Sequence, residues 1–204
     1  DSPGFHAADT VKVGYGLCDP GIVDELTGRA EETVDWLQKM GTQFDCHADG
    51  SLSLGREGGH RVARILHSDG TATGLELQRT LHARARVHPK IDLVPRATAV
   101  ELLKDAEGKV CGLVSFLHRQ GDTHAEVVVF QSVAVVFATG GGGQIFRETT
   151  NPQLATGDGL AMALRAGATL RDLEFVQFHP TILYLAGAAR FLISEVTRGA
   201  GAVL

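Results

Sequence analysis

Apolar residues recur at helical spacing over the stretch that follows Asp19. Proline is favoured in the first turn of a helix and glycine just beyond its last turn, and Pro20 and Gly41 occupy those two places. The pattern therefore predicts one amphipathic helix between Pro20 and Gly41. Its apolar face comprises Ile22, Val23, Leu26, Ala30, Val34 and Leu37.

A second helical pattern follows an irregular stretch. Residues 42–74 show no sustained periodicity and contain a loop rich in glycine, histidine and arginine. After this stretch, Leu77, Leu81 and Ala85 fall on one helical face. Proline cannot continue a helix, so this element is predicted to end before Pro89.

The second half of the chain changes to strand-like patterns, with β-branched and apolar residues in short runs. The turn at 105–108 has glycine where a tight hairpin needs left-handed backbone. The run 132–138 is almost continuously apolar, which is typical of a strand buried on both faces. Together with the helices, these patterns indicate an α/β domain that contains a β-meander. The other predicted strands are 91–95, 98–104, 110–117 and 125–130.

Composition and charge exclude several classes of protein. Of the 204 residues, 44% are hydrophobic and 21% are charged, as in ordinary globular domains. The net charge is −5, which provides no basic footprint for nucleic acid or for an anionic membrane. No apolar stretch is long enough to span a bilayer. We therefore expect neither nucleic acid nor a membrane among the partners.

The cysteines and the chain ends carry two further expectations. Cys18, Cys46 and Cys111 lie far apart, and their spacing fits neither a disulfide framework nor a metal site. Reduced thiols are ordinary in cytosolic proteins, so we expect a cytoplasmic location and no bound metal. The chain begins at Asp1 and stops in an apolar run at Leu204, and both ends look cut. We expect an internal fragment of a longer protein.

Glycine is over-represented, with 25 among 204 residues. One cluster, which includes Thr139, Gly140 and Gly141, follows the predicted buried strand. Backbone without side chains at the end of a strand lets a cofactor lie against the main chain; a flexible exit from the strand is the alternative. Asp158 stands between two glycines at the start of a helix predicted over 157–168. It could accept hydrogen bonds from a polyol or cap the helix.

Three further segments carry candidate polar groups, each with an ordinary structural alternative. Glu57 follows Arg56 and precedes two glycines, where it is either a ligand group or part of a polar loop. His179 lies in an extended segment and could bind a carboxylate or relay a proton, or be structural. Glu195 and Arg198 are three residues apart and could pair, as a functional pair or as a surface ion pair.

These segments, in this order, resemble the fumarate reductase/succinate dehydrogenase flavoprotein superfamily. Within that superfamily, the Arg-Glu-Gly-Gly-His loop resembles the loop of L-aspartate oxidases. The resemblance extends over essentially all 204 residues. The segments are REGGH at 56–60, ATGG at 138–141, TTNP at 149–152, GDG at 157–159, EFVQFHPT at 174–181 and SEVTRG at 194–199.

The resemblance implies a fold and a cofactor. It implies a partial FAD-binding domain, Rossmann-like with a β-meander, over residues 1–178. The start of a substrate capping domain would follow over 179–204. The implied cofactor is FAD, held by Thr139, Gly140, Gly141 and Asp158.

The resemblance also implies roles toward a dicarboxylate substrate. Glu57 would meet the substrate's α-ammonium group, and His179 and Ser194 would bind its carboxylates. Relatives commonly carry threonine at the position of Ser194, and the hydroxyl is retained. Glu195 and Arg198 resemble a pair that conducts protons toward the active site. The main acid/base arginine is expected beyond residue 204, and no N-terminal dinucleotide fingerprint is present, so we expect the chain by itself to be inactive.

The implied activity is FAD-dependent oxidation of L-aspartate to iminoaspartate, with oxygen or fumarate as acceptor. This reaction would serve NAD biosynthesis, with a partner in quinolinate synthesis. Two alternatives stay open: a fumarate reductase or succinate dehydrogenase flavoprotein, and a non-catalytic nucleotide-binding fragment. Glu57 favours L-aspartate oxidation over these alternatives, because an acid at this place is needed only if the substrate carries an amine.

Overall fold

The computed structural model describes residues 1–204 except 71, 120, 122, 180, 184–190, 194–200 and 202–204. The described chain divides into two compact units. The first contains Asp1–Leu93, and the second is Val94–Ile193.

The first unit is built from helices whose ends follow local rules. The Ser2 hydroxyl caps the first helix by accepting from the Phe5 N–H, and the Asp19 carboxylate caps the second. Gly41 ends the third helix in a left-handed conformation with φ +104°. The helices are α1 (Pro3–Val13), α2 (Pro20–Gly28), α3 (Ala30–Met40) and α4 (Thr73–Val87).

The single helix predicted between Pro20 and Gly41 is wrong in one respect. The structure interrupts it at Arg29, whose φ of −94° and ψ of 1° lie outside the helical range, so α2 and α3 are separate helices. Two features of the preceding turn account for the break. The Thr27 hydroxyl donates back to the Val23 carbonyl at 2.9 Å, and Gly28 has the weakest helix propensity of any residue except proline. The helix predicted to end before Pro89 is confirmed as α4.

A short hairpin occupies the stretch without periodicity. The strands β1 (Leu54–Gly55) and β2 (Ile65–Leu66) pair antiparallel over two residues each. The Arg64 N–H donates to the Gly55 carbonyl at 2.9 Å and closes the base of the loop between them. This loop, residues 56–64, carries the Arg-Glu-Gly-Gly-His motif and is called the REGGH loop below.

The second unit contains a three-stranded antiparallel meander whose strands pair in sequence order. The predicted hairpin at 105–108 is confirmed: the Asp105 carboxylate accepts from the Glu107 and Lys109 N–H groups, and Gly108 has φ +81°. The strands and helix of this unit are β3 (Ala97–Lys104), β4 (Val110–Leu117), β5 (Glu126–Gln131), α5 (Asp158–Arg165), β6 (Ile182–Leu183) and β7 (Phe191–Leu192).

Helix α5 packs against β3. Arg165 joins them by donating to the Glu101 carboxylate and to the Val100 carbonyl, both at 2.9 Å. Leu102 of β3 and Met162 of α5 are buried. Helix α5 ends at Arg165, three residues before the end of the predicted helix at residue 168.

Two strand predictions are wrong. Residues 91–95 are irregular, and the run 132–138 forms no strand. Val133 and Val136 are 90% and 89% exposed, so this run is not buried among the described residues. A strand needs neighbours that pair with its backbone, and an apolar sequence does not supply them. Nowhere in the described chain is a helix long and apolar enough to cross a membrane.

Candidate functional site

The glycine-rich segment after Ala138 packs against the start of α5. Gly159 of α5 is buried, and a Cβ added there would overlap the Thr139 hydroxyl. Gly157 and Gly142 also lie close together, because a Cβ added on Gly157 would be 3.5 Å from Gly142 Cα. The structure therefore brings together two motifs that lie about 20 residues apart in the sequence.

Gly140 and Gly141 leave their backbone open. A Cβ added at either position would meet no heavy atom within 4 Å. Neither peptide N–H donates to an acceptor among the residues that the structure describes. Accessible backbone with available N–H groups fits a cofactor that carries phosphate, carbonyl or hydroxyl groups, as FAD does.

Asp158 is the first residue of α5 and is exposed. The N-cap is Gly157, which makes no side-chain capping bond, so Asp158 does not act as the helix cap. One carboxylate oxygen accepts from the Thr156 hydroxyl at 2.7 Å. The other has no partner among the described residues, so it can accept from a hydroxyl of a polyol chain. The four candidate flavin contacts, Thr139, Gly140, Gly141 and Asp158, therefore belong to one packed region.

His179 is half-buried and anchored to the backbone. Its Nδ1 lies 2.7 Å from the Thr181 carbonyl oxygen. Nδ1 also lies 3.2 Å from the Thr181 backbone nitrogen, so the Thr181 backbone holds the ring by this atom in either tautomer. A carboxylate only accepts, so a substrate carboxylate would bind at Nε2 with a hydrogen on Nε2. The preceding residue, Phe178, packs its ring edge-on against Phe146, with centroids 5.4 Å apart. This contact ties the His179 segment to the turn that follows the glycine-rich segment.

Glu57 projects from the REGGH loop. The His60 N–H donates to the Glu57 carbonyl at 3.3 Å, which closes a tight turn. Gly59 has φ +84° in this turn, and a Cβ there would lie 3.0 Å from Val13 Cγ1 of α1. Glu57 is half-buried, and its carboxylate has no hydrogen bond or ion pair within the described chain. A partly buried carboxylate of this kind is suited to a cationic ligand group.

Asp9 of α1 holds the second half of the same loop. Its carboxylate accepts from the Arg61 backbone N–H at 3.1 Å, from Arg61 Nε at 2.6 Å and from Arg64 Nη1 at 2.9 Å. Burial alone raises the pKa of the Asp9 carboxyl. The hydrogen bonds from Arg61 and Arg64 outweigh this effect and lower the pKa to about 2. Asp9 therefore stays ionised at any ordinary pH.

Asp9, Arg61 and Arg64 form a charged cluster, called the Asp9 cluster below, and two histidines lie beside it. Burial, followed by the charges of Arg64 and His60, lowers the pKa of His6, whereas Asp9 opposes that shift. His60 Nδ1 is buried without a hydrogen-bond partner within the described residues. No motif in the sequence indicates the Asp9 cluster. The one available signal is the pair of arginines, Arg61 and Arg64, directly after the motif.

The other candidates are distributed as follows. Glu57 lies in the first unit, and His179 lies in the second with the flavin candidates. Ser194, Glu195 and Arg198 lie outside the described residues. Among the described residues, no group of three or more histidine, cysteine or acidic side chains could hold a metal ion.

Cavities add one observation. A cleft of about 250 Å³ borders Asp158, between α5 and the strands β3 and β4. A larger cavity of about 450 Å³ in the first unit has none of the candidate residues in its lining. Volume alone therefore does not identify the site.

Comparison with known proteins shows which family the chain resembles. The chain is 46% identical to the L-aspartate oxidase of Streptomyces coelicolor and 45% identical to that of a Nostoc species, over its full length. It covers 35% and 34% of those two proteins, so it spans about a third of the length of these curated relatives. The sequence resemblance to L-aspartate oxidases is confirmed.

The fold is similar to that of solved fumarate reductases. An E. coli quinol fumarate reductase FrdA variant superposes with a TM-score of 0.86 at 35% identity, over 98% of this chain and 33% of that chain. The open conformation of a flavocytochrome c3 fumarate reductase gives a TM-score of 0.78 at 31% identity, over 100% of this chain and 36% of that one. These similarities confirm the predicted fold class, a partial α/β FAD-binding domain.

The glycine-lined backbone and the acid at the start of α5 match what a flavin requires. The family model described as FAD binding domain matches residues 1–204. The predicted cofactor, FAD, is confirmed by this match. The chain therefore belongs to the FAD binding domain family.

Proposed function

We propose that this chain is part of an FAD-dependent L-aspartate oxidase, which converts L-aspartate to iminoaspartate with oxygen or fumarate as acceptor. One observation carries the proposal: Glu57 offers a half-buried carboxylate, without a partner in the described chain, on a loop whose sequence resembles that of L-aspartate oxidases. Residues 1–178 would form the FAD-binding domain and residues 179–204 the start of the capping domain.

FAD would lie against the open backbone of Gly140 and Gly141. Thr139 keeps this backbone in place by packing on Gly159, and Asp158 accepts a hydroxyl hydrogen bond from the cofactor's polyol chain. When bound, FAD supplies the two-electron acceptor for oxidation of the substrate's carbon–nitrogen bond. The protein's task is to hold the substrate so that its α-carbon faces the cofactor.

The substrate would be held by its two carboxylates and its amine. His179, with its ring held at Nδ1 by the Thr181 backbone, would donate from Nε2 to one carboxylate, and the Ser194 hydroxyl would donate to a carboxylate as well. Glu57 accepts from the α-ammonium group. Glu195 and Arg198 would conduct protons between the site and solvent.

The product determines the metabolic setting. An imine in water hydrolyses readily, so iminoaspartate must be consumed soon after it forms. This requirement supports a partner enzyme that condenses iminoaspartate in quinolinate synthesis, on the route to NAD. We propose a cytoplasmic location, where such a partner and the substrate are found together.

A second candidate is a fumarate reductase or succinate dehydrogenase flavoprotein, which the structural similarity to the E. coli quinol fumarate reductase favours. The two candidates differ in whether the reduced form of the substrate carries an amine. Succinate has both carboxylates of aspartate and lacks the ammonium group, so it separates them directly.

The test mixes the complete flavoprotein with L-aspartate, D-aspartate or succinate and follows loss of the flavin's visible absorbance. L-Aspartate should react at least about tenfold faster than succinate, because a half-buried carboxylate left without its partner penalises binding of the analogue that lacks the amine. D-Aspartate, with the same charges and the opposite hand, controls for non-specific reduction. Faster reaction with succinate would support the second candidate, and no reaction with any of them would contradict both candidates.

A further inference from the structure

The REGGH loop is held at two places. Its ends are fixed by the β1–β2 ladder, which has only two residue pairs. Its middle lies against α1, through Gly59 on Val13 and Arg61 on Asp9. A loop with so short a ladder depends on its contact with α1 for its position.

The contact surface on α1 is a single helical face. Asp9 and Val13 are four residues apart and therefore lie one above the other. Val13 meets the turn that follows Glu57, and Asp9 meets the chain where it leaves that turn at Arg61. The two contacts fix the backbone on the C-terminal side of Glu57, which has no side-chain partner of its own in the described chain.

Asp9 is the dominant element of this contact. It is 4% exposed and accepts three hydrogen bonds from the loop, one of them from backbone. Arg64 is buried as well, with its side chain 6% exposed, and it also donates to Asp1 at 2.7 and 3.0 Å. The Arg61 guanidinium lies 5.1 Å from the centre of the Phe5 ring. Charge-assisted bonds between buried partners keep a loop in one conformation more firmly than surface ion pairs do.

We propose that Asp9 is a positioning residue for substrate discrimination: by fixing Arg61 and Arg64, it sets the place at which the Glu57 carboxylate meets the substrate's ammonium group. This inference rests on the proposed function of Glu57. Asp9 acts through the loop backbone and does not touch the substrate. Its pKa of about 2 keeps it charged throughout the pH range of an enzyme assay, so the contact is permanent.

The first test is Asp9→Asn in the complete flavoprotein. Asparagine keeps the shape of the side chain but removes the charge and one acceptor, so the loop should loosen. We expect kcat/KM for L-aspartate to fall by about tenfold, mainly through a higher KM. Fumarate reduction with an artificial reductant should stay within about threefold of the unchanged protein. Asp24→Asn, an exposed aspartate of α2, is the matched control and should change neither reaction.

The second test combines Asp9→Asn with Glu57→Gln. If Asp9 acts through Glu57, it should have almost no further effect on aspartate oxidation once Glu57 is removed. A merely structural role would reduce both reactions and would persist in the Glu57→Gln background, which would overturn the inference. If Glu57→Gln itself fails to separate the two substrates, the proposed function fails instead. Should Asp9→Asn not fold, Arg61→Met removes one partly exposed contact of Asp9. This variant should lower aspartate oxidation selectively, by a smaller factor than Asp9→Asn. Equal loss in both reactions would contradict the inference.

Discussion

Asp158 lies in the first turn of α5, and among the described residues its carboxylate has one partner, the Thr156 hydroxyl. The helix dipole stabilises an acid at this end, so the charge does not compromise the helix. The adjacent Gly157 and Gly159 keep the neighbouring backbone free of side chains. The carboxylate of Asp158 can therefore accept a hydrogen bond from a hydroxyl group of a ligand.

Replacing Asp158 tests which ligand it serves. We expect Asp158→Ala to lower flavin occupancy, since the loss of a charge-assisted hydrogen bond costs roughly 1.5–3 kcal/mol. Thr156→Ala keeps the charge and removes only the orienting hydroxyl, so its effect should be smaller. The measurement is flavin content per protein, from the visible spectrum, together with KM for aspartate. Full flavin content with a raised KM would place Asp158 at the substrate instead.

Single residues differed in how far the sequence could predict them. Glu57, Asp158 and His179 were predicted because each stands in a short motif with its neighbours. The Asp9 cluster was not predicted, because its bonds join residues that are 52 and 55 positions apart. Nothing in the local pattern around Asp9 distinguishes it from an ordinary helix-surface acid. Contacts of this range depend on the fold, which a local pattern does not contain.

At the scale of elements, predictions succeeded where the decisive interaction is local. The helix start at Pro20, the helix end before Gly41 and the hairpin at 105–108 all depend on groups within a few residues. The predicted strands 91–95 and 132–138 failed, because pairing depends on a distant strand that local sequence does not specify. The break at Arg29 also has local causes, the Thr27 hydroxyl bond to the Val23 carbonyl and Gly28, but the apolar periodicity continues through it and predicts a single helix.

Helix α4 has an acid, Glu76, in its first turn that joins the helix to the preceding chain. The Glu76 carboxylate binds Arg79 through two contacts of 2.6 Å and accepts from the Gln43 N–H at 2.8 Å. The hydrogen bonds from Arg79 and Gln43 lower the pKa of Glu76 to about 2, against a usual value of 4.5. The ionised form is therefore stabilised by folding.

This shift predicts an acid-sensitive contribution to stability. Because the pKa is lower in the folded state, the contribution is fully present above pH 4.5 and is lost as the pH falls toward 2. Urea unfolding of the complete protein at pH 7 and pH 3 measures it. The difference between the two midpoints should be smaller in Glu76→Gln than in the unchanged protein. Glu32→Gln, an exposed glutamate of α3, should leave that difference as it is; equal effects of the two substitutions would contradict the assignment.

At the scale of the whole molecule, the motif order predicted more than periodicity did. Periodicity indicated an α/β domain and placed the meander, whereas the order of six short motifs indicated an FAD-binding family and an L-aspartate oxidase relative. The exposed Val133 and Val136 show where pattern and structure diverge. Their run has the composition of a buried strand but no pairing partner among the described residues. An apolar composition shows that a segment is suited to burial in a sheet, but the neighbouring strands must come from the fold.

The central claim is that the REGGH loop distinguishes an amino acid from a plain dicarboxylate. Glu57 would provide one ammonium–carboxylate contact, worth about 1.5–3 kcal/mol when desolvated. Both reactions share the carboxylate contacts and the cofactor. Removal of the charge at Glu57 should therefore affect only the substrate that carries the amine.

The most direct test measures aspartate oxidation and fumarate reduction side by side in Glu57→Gln, with Glu107→Gln in the exposed hairpin turn as the matched control. We predict that kcat/KM for L-aspartate falls by roughly 10- to 150-fold. Fumarate reduction should change by less than about threefold, and Glu107→Gln should change neither. Equal losses in both reactions, or no loss in either, would contradict the assignment of Glu57 as the group that recognises the amine.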